Sequence, residues 1–151
     1  MKKSVSLFAL AMALTASVAS ASVPQEQMNI GGVAYGATQA QTEAICGQPV
    51  QMEVKQKYYG QKTECKYANG LEVTFINGTA QEIELSHWSD VATAGGVKIG
   101  MAASTLQNVY GQPDVIYKDK YIYYLNGTQD AGLVFEIEHG IIDEIECGNL
   151  R

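Results

Sequence analysis

One phrase occurs twice in the chain. GGVAYGATQAQTEAICGQP, residues 31–49, returns sixty-four residues later as GGVKIGMAASTLQNVYGQP, residues 95–113, with Gly, Gly, Val, Gly, Gly, Gln and Pro in the same places. The residues downstream of each copy also correspond. Leu71, Val73 and Phe75 match Leu133, Phe135 and Ile137, Gly78 matches Gly140, and Glu82-Ile83-Glu84 matches Glu144-Ile145-Glu146. Self-similarity at a fixed period means that one supersecondary unit is built twice.

Each copy reads first as a turn and a helix. Gly36 and Gly100 permit a sharp start, and good helix formers occupy residues 38–46 and 102–110. In the second copy Ala102, Leu106, Val109 and Tyr110 share a face at helical spacing. Gly47 and Gly111 supply left-handed stops, with Pro49 and Pro113 two residues beyond. The remainder alternates as strand: Leu71, Val73 and Phe75 against Glu72 and Thr74, and Leu133, Phe135 and Ile137 against Val134 and Glu136. A two-residue Asn77-Gly78 turn would put Ile83 on the face of Glu72. The parity of the strands therefore predicts a three-residue loop, Ile76-Asn77-Gly78, with a glycine bulge and with Gly78 and Gly140 left-handed. The expected fold is α+β: two tandem units, each a helix on one face of a three- or four-stranded antiparallel meander, with the other face open.

The chain starts with Lys2 and Lys3, continues uncharged from Ser4 to Val18, and reaches the small-x-small site Ala19-Ser20-Ala21. This is the pattern of a secretory signal peptide, too short in its apolar part for a spanning helix. The expected organisation is a signal peptide at 1–21, a first repeat at 22–86, a connector at 87–94 and a second repeat at 95–151. The expected address is the periplasm or the outside, after cleavage near Ala21. The leader holds two of the ten basic residues and none of the sixteen acidic ones, so removing it leaves a net charge of −8. So acidic a chain has no electrostatic reason to bind nucleic acid or an anionic membrane, and no membrane span is expected in the mature chain.

Cys46, Cys65 and Cys147 are the three cysteines, and in an oxidising compartment they read as one disulfide and one free thiol. Cys46 ends the first helix and Cys65 shares a strand face with Tyr67. A Cys46–Cys65 bridge would tie helix to sheet, while a Cys65–Cys147 bridge would cross between units. Cys147 aligns with Leu85 and reads as the buried thiol under the first pairing. The spacings match no zinc pattern, so neither a metal nor another cofactor is expected.

The phrase Val97-x-Ile99-Gly100-Met101, then a helix, then Tyr110-Gly111-x-Pro113, resembles the BLIP-like group. That group includes the β-lactamase inhibitor protein and the outer-membrane assembly proteins of the BamE/OmlA (SmpA/OmlA) type. The aromatic strand over residues 121–125 and the hairpin over 134–145 are similar to that family's later strands. The resemblance covers most of residues 31–147, and its tandem layout is similar to the two-unit inhibitor. It implies a concave sheet that grips a protein target, and a Cys46–Cys65 bridge would be similar to that family's bridges.

A catalytic constellation is not legible. Ser86, His87 and Asp90 stand together in SHWSD, but near neighbours in sequence do not converge as a triad, and the segment reads as the joint between repeats. His139 occupies a turn position, equivalent to Asn77. The Gly pairs lack the Lys-Ser/Thr of a phosphate loop. A contact surface is legible. With Leu71, Val73, Ile83 and Leu85 inward, Glu72, Glu82 and Glu84 face outward, as do Glu136, Glu144 and Glu146 in the second unit, with Tyr121 and Tyr123 expected beside them. Such a face suits a basic or peptide-like partner. Trp88, the only Trp, is expected to pack across the joint, the alternative being an exposed anchor for a partner. The sequence thus predicts an exported, non-enzymatic protein-binding module of the cell envelope, or alternatively a secreted or periplasmic inhibitor of a hydrolase.

Overall fold

The computed structural model describes residues 22–151; the expected signal peptide lies outside the described residues. After a short 3-10 turn at Gln25–Gln27 come a two-stranded hairpin, β1 (Asn29–Ile30) and β2 (Val33–Ala34), and helix α1 (Gln39–Cys46). Next come four strands: β3 (Gln51–Lys57), β4 (Gly60–Lys66), β5 (Glu72–Ile76) and β6 (Thr79–Leu85). Helix α2 (Ser104–Tyr110) leads to β7 (Val115–Tyr117), β8 (Lys120–Tyr124), β9 (Ala131–Glu138) and β10 (Ile141–Asn149).

The expected α+β fold of two helix-on-meander units is corrected by the pairing: the described residues are mostly strand, with two short helices. The strands β3 to β10 form one antiparallel sheet in the order β3-β4-β5-β6-β10-β9-β8-β7. The halves fuse where β6 pairs with β10, Ile83 opposite Cys147 and Leu85 opposite Ile145. Both strands present an apolar row on one side, so pairing them makes one continuous core instead of two small ones.

The helices are short, and α1 scarcely contributes to that core. Its sequence QAQTEAIC has no apolar stripe, and only Thr42 is buried. What defines it is its ends: Thr38 Oγ1 accepts from the Gln41 amide at 3.2 Å while Gln41 Oε1 accepts from the Thr38 amide at 2.9 Å, a capping box. Helix α2 does pack, through Leu106 and Tyr110. Tyr110 joins Tyr123 and Phe135 in an aromatic cluster with centroids 5.4–5.9 Å apart, and its hydroxyl meets Thr93 Oγ1 at 2.6 Å. Most of the cover is extended chain: Met28, Ile30, Val33 and Val97 are fully buried beneath the sheet. The first half of the repeated phrase is therefore core filler as well as helix punctuation.

The parity argument needs one extra residue per hairpin, and the structure supplies it inside the strands. Ile76 pairs with Thr79 across a two-residue turn, with Asn77 at φ 50° and Gly78 at φ 84°. This double positive φ is the hairpin turn that matches strand twist. The register then shifts so that Gln81 bulges, which puts Glu82 opposite Thr74 and Ile83 opposite Val73. His139-Gly140 and a bulge at Asp143 repeat the device. The three-residue loop is thus corrected to a two-residue turn plus a bulge, with the same inward residues.

Candidate functional site

One face of the sheet carries the core and the other is open. Because side chains alternate and the register is continuous, the open face can be followed strand by strand. One row runs Gln51, Lys66, Glu72, Glu84, Glu146, Val134, Ile122, Val115. The next row contains Glu64, Thr74, Glu82, Gly148, Gly132 and Tyr124, and on the other side Glu144, Glu136, Lys120 and Tyr117 line up. The six glutamates expected to face outward, Glu72, Glu82, Glu84, Glu136, Glu144 and Glu146, are therefore brought together on one surface.

Cations neutralise only its margins. Lys66 binds Glu72 at 2.6 Å, and Lys120 reaches Glu136 at 3.3 Å and Glu146 at 3.1 Å. Toward the β3 edge Lys62 and Lys55 hold Glu64, and they keep its carboxyl below the usual range, Lys62 most strongly. Among the described residues Glu82, Glu84 and Glu144 have no ion-pair partner. Burial, with the charge of Glu146, pushes Glu82 up; burial, with Glu72, Glu146 and Glu82, pushes Glu84 up. Glu144 goes furthest, to about 8, through burial first, then a hydrogen bond with Glu146 and the charges of Glu84, Glu146 and Glu136. A concavity of about 340 Å³ opens over this field, lined by Glu53, Glu64, Lys66, Glu72, Glu82 and Glu84.

Beside the acids lies an apolar margin that sequence reasoning missed. Val134, Ile122 and Val115 continue the row of Glu146, with Tyr117 and Tyr124 on either side of it. Between the acids and Tyr124 stand Gly148 and Gly132, directly opposite each other, so bare backbone floors the sheet there. A Cβ at Gly148 would come within 2.2 Å of the Gln81 carbonyl oxygen, which enforces glycine.

Two expected contact residues are relocated. Tyr121 pairs with Phe135 and Tyr123 with Leu133, which puts both tyrosines on the covered face. Tyr123 is fully buried, and its hydroxyl donates to the Gly111 carbonyl at 3.0 Å. In Tyr121-Ile122-Tyr123-Tyr124 both parities are apolar or aromatic, so alternation alone gives no face, and the register to β9 decides. Trp88 is likewise not packed into the joint: it is 84% exposed, with its ring edge against Gly100.

The expected Cys46–Cys65 bridge is absent, and all three cysteines are free thiols. Cys46 Sγ accepts from Asn69 at 3.4 Å, and burial raises all three thiols, Cys147 to about 12. Cys147 is fully buried in the core. Ser86 Oγ lies 3.1 Å from His87 Nδ1 at the surface, while Ser89 Oγ donates to the Asn69 carbonyl at 2.7 Å, so the SHWSD segment is tied down as a joint. Among the described residues no cluster of three or more His, Cys, Asp or Glu has the geometry to hold a metal ion.

No protein-family model matches the sequence, and no curated protein matches it. Among solved structures the chain is similar to a candidate β-lactamase inhibitor protein from Streptococcus mutans, at 12% identity over 74% of this chain and 82% of that one, with a TM-score of 0.36. It is also similar to a DUF4309 family protein, YjgB, from Bacillus subtilis subsp. subtilis str. 168, at 17% identity over 75% and 78%, with a TM-score of 0.41. Both overlaps are distant, and the functional reading rests on the geometry above.

Proposed function

We propose that this chain is an exported, non-enzymatic protein-binding module of the cell envelope, holding a basic partner on the open face of its sheet. The observation that carries the reading is the set of Glu82, Glu84 and Glu144 on the open face, carboxyls without ion-pair partners among the described residues and raised in pKa, the first two lining the concavity. Crowded carboxyls cost free energy that an incoming lysine or arginine relieves, and partial burial makes each new pair stronger than one at an exposed rim. The adjoining Val115 and Ile122, half-buried, with Tyr117 and Tyr124, offer the apolar contact area that charge alone lacks, while Val134 beneath them is buried. Binding then combines electrostatic steering with an apolar anchor.

The test is retention of envelope proteins on the immobilised, folded chain, compared with Glu84→Lys/Glu146→Lys. Partners held by the wild type, released by salt and lost in the double variant support the reading. The same partners held equally by both proteins would sink it. A narrower form, a stoichiometric inhibitor of an enzyme, is favoured by Trp88, an exposed aromatic of the kind that anchors interfaces. Inhibition at one-to-one stoichiometry that weakens in Trp88→Ala would select that form.

A further inference from the structure

Strand β3 closes one end of the sheet, and among the described residues no strand pairs with its outer side. It is seven residues long, against three for β7 at the other end, and its pairing with β4 runs without a register shift. It lacks a bulge or proline, and the devices that blunt it are the charges of Glu53, Lys55 and Lys57. Met52 and Val54, on the covered-face side of the strand, are 54% and 52% exposed.

The hydrogen bonds within the sheet show which backbone groups of β3 are unused. The Gln61 amide donates to Asn77 Oδ1 at 3.0 Å, and its carbonyl accepts from the Asn77 amide at 2.9 Å, so Gln61 turns both groups toward β5. By alternation Lys62, Glu64 and Lys66 turn theirs toward β3, and the Lys66 carbonyl indeed accepts from Val50 at 2.8 Å. Their partners Lys55, Glu53 and Gln51 face inward. Met52, Val54 and Gln56 therefore present amide and carbonyl to the free edge.

We propose that a second copy of the chain pairs with this edge, β3 against β3, antiparallel about a two-fold axis at Val54. With the covered faces on the same side, that register makes Val54 and its symmetry mate a hydrogen-bonded pair and places Met52 opposite Gln56. It also puts Glu53 opposite Lys55 of the second copy, twice, on the open face. Glu53 and Lys55 each already face a like charge across the β3–β4 ladder, Glu64 and Lys62. Moving the axis one residue either way adds a second like-charge contact, Glu53 against itself or Lys55 against itself, and like charges directly opposite are destabilising. The charge pattern selects one register, and the two open faces join into a single surface twice as wide.

Sedimentation equilibrium of the purified protein tests this, with hydrogen exchange as a local readout. The wild type is expected to double in mass with concentration, as the amides of Met52, Val54 and Gln56 become protected. Lys55→Glu should weaken the dimer at least about tenfold, and Glu53→Lys/Lys55→Glu should restore it. Within β4, Lys62 opposes position 55 and Glu64 opposes position 53, so each substituted side chain faces an opposite charge where the wild-type residue faces a like one. Lys55→Glu gives up the Lys55 pairs with Glu53 and Glu64, and the double variant restores a pair between positions 53 and 55. Val54→Pro removes only an edge-facing amide and should leave a folded monomer; if it fails to fold, the charge series decides alone. A wild type that stays monomeric up to about 1 mM overturns the proposal. So does a dimer indifferent to Lys55→Glu, or one that the charge swap fails to restore in folded protein.

Discussion

Glu144 is the residue at which the open face is most strained electrostatically. Its ordinary value of 4.5 rises to about 8 in the folded chain, through burial and then through Glu146, Glu84 and Glu136. A carboxyl whose folded pKa is raised stabilises the fold when protonated. That contribution is complete below about 4.5 and is lost as pH rises through about 8. Glu82 and Glu84 act in the same direction. Urea midpoints should therefore fall between pH 6 and pH 9, and Glu144→Gln, neutral throughout, should flatten part of that fall; an unchanged slope would remove Glu144 from the account. The six glutamates were legible in the sequence because each alternates with a large apolar residue. Tyr121 and Tyr123 were not, because β8 is aromatic or apolar at both parities and the facing residues on β9 set its orientation.

At the scale of elements, the helix stops and the places of the hairpin turns are local chemistry and could be read directly, whereas the length of the turn could not. Thr38 and Gly47 bracket α1, and Asn77-Gly78 and His139-Gly140 make the turns. The bulges at Gln81 and Asp143 carry no local mark; only the demand that Ile83 and Ile145 face inward reveals them. The two helices also differ in a way their shared punctuation hides. Leu106 of α2 is fully buried, so Leu106→Ala should cost about 2–5 kcal/mol in denaturant unfolding. Thr38→Ala, which removes the capping box of a helix lying outside the core, should cost only about 1 kcal/mol. Equal losses would mean that α1 is part of the core after all.

For the molecule as a whole, the repeat revealed that a unit is built twice but hid how the copies join. The β6–β10 pairing connects residues about sixty positions apart, and an apolar row such as Ile83 and Leu85 has the same local signature at a free edge as inside a sheet. Fusing the halves turns two small acidic patches into one field, and the binding reading depends on that continuity. Site-specific photocrosslinking tests it most directly, with a photoreactive side chain placed in turn at Glu72, Glu84 and Glu136 on the open face, and at Gln41 and Ala44 of α1. In envelope extract the open-face positions should yield the same protein adduct, suppressed by high salt, and the α1 positions should not. Adducts confined to α1, or none from the open face of folded protein, would contradict the account.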